Sequence, residues 1–328
     1  MDQATRAHQG RSFNVVAAEY ERGRPGWPTT MVDRLATVLD LPASATVLDL
    51  GAGTGKLTRV LVGRFARVVA VEPLPAMRSQ LVAQVPQAEV YEGSAERIPL
   101  PDGSVDAVFV ADAFHWFDWP AALAEIARVT GPAGRLVLLW HGADGPWEPA
   151  LPESVRERIR HAAAQYPPGG VVVEGGEWRQ AFTGSAFGPL VEESVPYEFV
   201  TDREGVIANL LSLSTVARLP EAEREALQAE LATLPETTYR RKLPIRLYWT
   251  RKRGVPTQPG HRPDEPASPQ WCDRCGGGLA EADHTACQAA RAWEPPRFCP
   301  YCRRRMKVQV LPAGWRASCV AHGETRAG

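Results

Sequence analysis

Cysteine is missing from the first 271 residues of this 328-residue chain, and all six cysteines fall between Cys272 and Cys319. No single cysteine framework can run through the molecule. A large cysteine-free module followed by a small cysteine-dense one is expected, and the length agrees, since one core rarely grows past roughly 250–300 residues. Long apolar runs are missing too. No stretch of about 18 apolar residues occurs, which leaves no candidate membrane span. The opening residues MDQATRAHQGRSFNVV contain no apolar run resembling a signal peptide. An excess of either charge is also lacking: 37 Lys and Arg stand against 38 Asp and Glu, so no global attraction to nucleic acid or membrane is expected. A cytoplasmic globular protein is the reading these absences leave.

Proline is concentrated where the modules should part. Arg251 to Gln270 holds five prolines and few apolar residues, the composition of an extended linker. The expected division is a large domain over residues 1–253, a Pro-rich linker over 254–269, and a small cysteine-rich domain over 270–328.

The larger module alternates. Arg11 to Arg22 has helical spacing, with Phe13, Val16, Ala17 and Tyr20 on one side, and Arg24-Pro25 and Trp27-Pro28 break it. Met31 to Leu39 reads as a second helix. Strands are expected at Thr46–Leu50, Arg67–Val71, Glu89–Tyr91, Val105–Ala111 and Arg135–Trp140. Helices are expected at Lys56–Arg64, Ala76–Gln84 and Ala121–Val129. Strands spaced by helices predict βαβ units and a mainly parallel sheet, and their nearly continuous apolar runs predict burial on both faces. Past residue 145 the pattern weakens: Val155–Gln165 and Glu221–Leu234 read as exposed helices, Val191–Val200 and Leu243–Trp249 as late strands.

The sharpest motif is Val47-Leu-Asp-Leu-Gly-Ala-Gly-Thr-Gly55. A strand runs straight into Gly51, Gly53 and Gly55, and a helix follows. Glycine belongs where a chain turns sharply and a ligand comes close, and the next helix start offers unpaired N–H donors to an anion. A dinucleotide site prefers GxGxxG, but Lys56 stands in the last position. A phosphate loop needs GxxxxGK[ST], but Leu50 and Leu57 fail it twice. Glu72 ends the second strand 21 residues after Gly51, where an acid can accept both ribose hydroxyls.

The GxGxG spacing, with Asp49 two residues before Gly51, resembles motif I of the Rossmann-like S-adenosylmethionine (SAM) methyltransferases. Gly93-Ser-Ala-Glu-Arg-Ile-Pro-Leu-Pro-Asp102 resembles that family's adenine-side loop, with Ser94 where the family often has Asp. The N-terminal FNVVAAEYERGRPGWP and the stretch Asp112-Ala-Phe-His-Trp-Phe-Asp118 are similar to a subgroup containing trans-aconitate and related small-acid carboxyl methyltransferases. The resemblance covers residues 11–253. It implies an α/β fold with a Rossmann-like, seven-stranded, mainly parallel sheet and helices on both faces. It implies SAM held by Asp49, Gly51, Gly53, Gly55, Glu72, Ser94, Ala95, Glu96 and Asp112.

Because ligands of open α/β sheets bind beyond the strand carboxyl ends, His115 and Trp116 fall near the transferred methyl. A carboxylate acceptor is ionised near pH 7 and needs no base. It needs a cation, for which Arg24 is the candidate through a bidentate contact. His115 is a candidate base for a hydroxyl or amine acceptor, or an orienting group. Tyr20 and Trp116 are expected to line the pocket.

The tail reads Cys272-x₂-Cys275, His284-x₂-Cys287, Cys299-x₂-Cys302 and Cys319-x₂-His322. Each x₂ spacing lets two side chains face one ion. Cys272, Cys275, Cys299 and Cys302 are expected to share one site; His284, Cys287, Cys319 and His322 are the candidates for a second. Zinc and an iron–sulfur cluster both suit such ligands. Over residues 270–323 the tail resembles the biotin synthase auxiliary protein family, which implies biotin synthase as a partner. The fusion points to a carboxyl methyltransferase of biotin synthesis, acting on malonyl-acyl carrier protein, with Arg240, Arg241, Lys242 and Arg246 as a docking face. Two alternatives stand beside it: methylation of an unrelated small acid or metabolite, with the tail (Arg303, Arg304, Arg305, Lys307) as a zinc ribbon for docking or nucleic acid, and a protein that mainly binds biotin synthase.

Overall fold

The computed structural model describes residues 10–142, 145–168, 173, 175–253, 271–279, 283–290, 295–300, 303–311, 314–319 and 323–327. The expected linker, Cys302 and His322 lie outside the described residues. The chain divides into two compact units, Met1–Val255 and Pro256–Gly328.

In the first unit a 3₁₀ turn, Arg11–Val15, precedes helix α1, Ala17–Gly23. One continuous helix was expected here; the β-branched pair Val15-Val16 interrupts it, since such side chains lose rotamer freedom against a helical turn. Helix α2 covers Thr29–Val38, strand β1 Thr46–Leu50 and the short helix α3 Thr58–Leu61, half the expected length. Then come β2 (Arg67–Val71), α4 (Pro75–Gln84), β3 (Glu89–Tyr91), β4 (Val105–Ala111), α5 (Trp119–Val129) and β5 (Thr130–His141). Asp118 caps α5 by accepting from the Ala121 N–H, and Pro120 occupies its first turn, where no donor is needed.

Past β5 the chain builds β6 (Trp147–Glu148), α6 (Glu153–Gln165), β7 (Val191–Val195), β8 (Glu198–Thr201), α7 (Arg203–Leu211), α8 (Glu221–Leu231), β9 (Tyr239–Lys242) and β10 (Ile245–Arg251). The single late strand expected over 191–200 is two strands in two sheets, because Pro196 cannot continue the ladder. The helices α6 and α8, expected to be exposed, each bury a stripe: Val155 and Ala162 on one, Leu227 and Leu231 on the other.

Seven strands form one sheet in the order β3-β2-β1-β4-β5-β10-β7. β1 through β5 pair in parallel, and β10 lies antiparallel between β5 and β7. Alternate residues of the central strands feed two cores. Val108, Val110, Leu136 and Leu138 pack against α5, while Phe109, Val137 and Leu139 pack with Met31, Leu35 and Leu61 from α2 and α3. Helices thus cover both faces, as a parallel sheet requires. Strand order reverses between β1 and β4, so a crevice opens beyond their carboxyl ends. A small sheet, β6-β9-β8, with α6, α7 and α8 around it forms a separate core over one end of that crevice.

In the second unit, helix α9 (Thr285–Ala290) precedes an antiparallel sheet of β11 (Lys307–Leu311), β12 (Gly314–Cys319) and β13 (Gly323–Ala327).

Candidate active site and metal centre

Two adjoining cavities occupy the crevice. The first, about 350 Å³, is lined by Asp49, Gly51, Gly53, Glu72, Ser94 and Ala95, with Glu96 and Asp112 also on its wall. The second, about 450 Å³, is lined by His115, Trp140, His141, Ser214, Arg241 and Arg246 among others. Phe13, Tyr20, Arg24, Asp112 and Trp116 border both.

The glycines of the turn act differently. All three have positive φ, 71° at Gly51, 58° at Gly53 and 89° at Gly55. A Cβ on Gly51 would lie 2.9 Å from the Ala113 Cβ, so this glycine lets the loops after β1 and β4 meet. At Gly55 it would lie 2.5 Å from Leu81 Cδ1, which is close packing of the turn on α4. At Gly53 it would meet nothing within 4 Å, since this residue faces the cavity. Glu72, buried at the end of β2, accepts from the Gly53 N–H at 2.8 Å and from the Leu74 N–H at 2.9 Å. Burial raises its carboxyl above the ordinary range, and those two N–H groups partly offset the rise.

Asp49 is buried and accepts the Thr58 hydroxyl at 2.6 Å through Oδ2. Its Oδ1 has no hydrogen-bond partner among the described residues. Burial drives this carboxyl up to about 7, the Thr58 hydrogen bonds pull it back only partly, and the Glu72 charge adds to the rise. An unpartnered buried carboxylate on a residue that lines the cavity suits a nearby cationic group. In its chemistry this cradle, with the carboxyl groups of Asp49 and Glu72 and the Ser94–Ala95 loop on its wall, fits SAM. Glu96 is committed elsewhere, for its Oε1 accepts the Asp118 N–H at 2.9 Å and so fixes the entry to α5.

Asp112 carries φ 49°, a left-handed conformation uncommon for aspartate. Its Oδ1 accepts the His141 backbone N–H at 3.0 Å and its Oδ2 lies 2.8 Å from His141 Nδ1. Burial would raise this carboxyl, but the charge and hydrogen bonds of His141 outweigh it and hold it below the ordinary range. His141 stacks on Trp27 with ring centroids 3.9 Å apart. His141 was not among the sequence candidates, although the rule of strand carboxyl ends points to the last residue of β5.

His115 is buried on a 3₁₀ turn, Phe114–Trp116, and its Nδ1 lies 3.2 Å from Trp140 Nε1. Indole only donates, so Nδ1 accepts, and neutral His115 carries its proton on Nε2. The nitrogen with the lone pair is taken, so the geometry favours donation over the base role considered from sequence. Trp116 lies edge-on to Phe13 at 5.8 Å, and Phe13 lies edge-on to Tyr20 at 5.6 Å. Burial raises the Tyr20 phenol well above its ordinary value, which keeps it neutral. Arg24 donates from Nε to Ser212 Oγ and from Nη2 to the Ser212 carbonyl, both at 2.9 Å.

The basic cluster on β9 divides. Arg240 and Lys242 are exposed, whereas Arg241, one register position between them, lines the second cavity along with Arg246 from β10. Both arginines were expected on a docking face; strand alternation turns Arg241 inward.

In the second unit Cys272, Cys275, His284 and Cys287 bring one ligand atom each within 4.8 Å of one another. The expected pairing is redrawn: the His284–Cys287 knuckle joins the first cysteine pair. Cys299 and Cys319 are buried, and their knuckle partners lie outside the described residues. Burial would raise the Cys272 thiol, but the N–H groups of Cys275 and Arg274 and the neighbouring thiols outweigh it and bring it to about 7.

Residues 48–138 match the model of the methyltransferase domain family, and residues 306–328 match that of the biotin synthase auxiliary protein family. The second match begins at Met306, so it covers only the last part of the 270–323 stretch over which the tail resembles that family and leaves out both CxxC knuckles. An uncharacterised methyltransferase of Mycobacterium tuberculosis is 51% identical over 141 residues, 43% of this chain and 56% of the relative. The chain thus spans about half the length of the first curated relatives it matches. A malonyl-[acyl-carrier protein] O-methyltransferase of Halorhodospira halophila is 30% identical over 251 residues, covering 69% of this chain and 83% of that one. The solved structure of a type II methyltransferase candidate from Anaeromyxobacter dehalogenans is 28% identical with a TM-score of 0.52, covering 70% of this chain and 97% of that one. No helix among the described residues is long and apolar enough to cross a membrane.

Proposed function

We propose, for a chain that belongs to the methyltransferase family, that the paired cavities of its first unit serve SAM-dependent carboxyl O-methylation. The glycine-rich cavity takes the cofactor and the arginine-lined cavity takes the acid. The observation that carries this reading is the charge of the second cavity. Arg24, Arg241 and Arg246 line it, and Asp112, its one acidic lining residue among those described, is already engaged by His141. Guanidinium groups bind carboxylates through paired, charge-assisted hydrogen bonds.

SAM supplies a methyl on a sulfonium; a carboxylate oxygen takes it, leaving a methyl ester and a neutral thioether, with no proton to move. The protein's share is alignment, worth about 7–11 kcal/mol when the reacting atoms are held in line. Arg24 and Trp116, on the wall between the cavities, position the acceptor against the cofactor site. His115 donates from Nε2, and a carboxylate acceptor needs no more, since it is ionised near pH 7.

The favoured acceptor is malonyl-acyl carrier protein. The named relative of Halorhodospira halophila and the auxiliary-protein match at residues 306–328 both support a place in biotin synthesis. Arg240 and Lys242 offer outward charge to an acidic carrier protein, and the second unit, a metal-holding module, would assist biotin synthase. A cytoplasmic location goes with these partners.

The test is incubation of the purified chain with methyl-labelled SAM and malonyl-acyl carrier protein, with trans-aconitate in parallel. Label on the carrier protein, lost in Arg241→Ala, supports the reading. Label on trans-aconitate alone makes the acceptor a free small acid. No label on either acid, with SAM bound, overturns carboxyl methylation.

A further inference from the structure

The Cys272, Cys275, His284 and Cys287 group belongs to neither cavity and precedes the matched segment at 306–328. Local hydrogen bonds fix its donors. His284 Nε2 lies 3.0 Å from the Gly278 carbonyl oxygen, which only accepts. Nε2 therefore carries the proton, and Nδ1, 3.5 Å from Cys275 Sγ, turns its lone pair toward the sulfurs. Cys275 Sγ in turn accepts the Gly277 N–H at 3.4 Å, which fixes where the sulfur sits.

The backbone is shaped to match. Gly276 adopts φ 72°, its N–H donates to the Cys272 carbonyl at 2.9 Å, and the Cys272 N–H donates to the Gly277 carbonyl at 2.8 Å. This tight turn folds Cys275 back beside Cys272. A Cβ on Gly276 would press on the Phe298 ring at 3.3 Å, so both the conformation and the space call for glycine.

We infer that these four residues hold one mononuclear zinc ion in a closed Cys₃His site. A tetrahedral ion with bonds of about 2.3 Å to sulfur sets its ligand atoms roughly 3.8 Å apart. All six pairs here fall within 4.8 Å, close to that spacing. An iron–sulfur cluster ends its cysteines on different irons with sulfides between them, which spreads the ligand atoms wider. Three soft thiolates and one imidazole are a zinc donor set. Four protein ligands leave no open position, so the ion is structural: it ties the Cys272 turn to the start of α9.

The full-length chain, purified under reducing conditions, is assayed for zinc, iron and acid-labile sulfide, and then loaded with cobalt(II). Zinc is expected, falling by one equivalent per chain in Cys287→Ser and in His284→Ala. The cobalt form should show the visible bands of tetrahedral thiolate coordination. His284→Cys, which keeps four ligands, should retain the ion and shift those bands toward an all-thiolate spectrum; this separates ligand loss from misfolding. Iron and sulfide that disappear in Cys287→Ser would overturn the inference. Zinc content unchanged in both Cys287→Ser and His284→Ala would overturn it equally.

Discussion

Trp140 donates its indole N–H to His115 Nδ1 across 3.2 Å in the wall of the second, arginine-lined cavity. The contact leaves His115 a donor through Nε2. Replacement by Asn or Gln, which keep an N–H, should lower kcat/KM by less than about tenfold. His115→Leu should lower it by about 10–100-fold, the worth of a hydrogen bond to a charged group at roughly 1.5–3 kcal/mol. A general base would cost about 10²–10⁴-fold in all three variants, so steady-state kinetics on the set decide the role.

Gly53 and Gly55 are two residues apart and should fail in different ways. Alanine at Gly53 meets no protein atom within 4 Å, so the cost is the positive φ, about 1–2 kcal/mol. Its methyl projects into the cofactor cavity, and SAM affinity should fall tenfold or more while the melting temperature drops only a few degrees. Alanine at Gly55 is driven against Leu81 at 2.5 Å. It should destabilise the fold by several kcal/mol, strain and overpacking together. Thermal melts and calorimetric titration of both variants give the comparison; equal loss of stability in the two would sink it.

Much of the glycine-lined cavity could be read from the sequence because its signals are local. A strand, three glycines and an acid at the next strand end are set by positions close in the chain, and the structure brings Asp49, Gly53 and Glu72 together at one cavity. The arginine-lined cavity was less legible. Arg241 lies inward only because β9 pairs with β6 and β8, and β6 is two residues long. His141 reaches Asp112 through the parallel register of β4 and β5. In the tail the x₂ spacing marked the pairs Cys272/Cys275 and His284/Cys287, but their meeting depends on the turn at Gly276 and the placement of α9.

Asp49 predicts a pH dependence of cofactor binding. Its carboxyl, raised to about 7 by burial against the Thr58 hydrogen bonds, is largely protonated below that pH. On the proposed function an ammonium near Asp49 requires the ionised form, so binding must expel the proton. Affinity for SAM should weaken as pH falls below about 7, by up to tenfold per unit. Folding moves in the other sense. The unfolded carboxyl loses its proton near 3.9 while the native one keeps it, so this residue's contribution to stability declines as pH rises from about 4 to about 7. Asp49→Asn should flatten both slopes. Calorimetry from about pH 5.5 to pH 7 reads the first, and parallel slopes in wild type and variant would remove Asp49 as the cause.

Arg24 and Ser212 predict a coupling. Nε and Nη2 both end on Ser212, which is fully buried and whose hydroxyl donates to the Asn209 carbonyl at 2.8 Å. One edge of the guanidinium is therefore spent on orientation, and the other remains for an anion at the border of the two cavities. Lysine keeps the charge but cannot meet two partners in a plane. Arg24→Lys should lower kcat/KM for a carboxylate acceptor by about 10–100-fold, the worth of roughly 1.4–3 kcal/mol of charge-assisted bonding. Ser212→Ala leaves Nε without its partner and should cause a smaller loss in the same direction. If Ser212 acts by holding Arg24, the double variant will be little worse than Arg24→Lys alone, since residues in direct contact are not additive. If Arg24 only fastens the N-terminal segment, both variants will lower the melting temperature and leave kcat/KM unchanged at temperatures where the fold is intact.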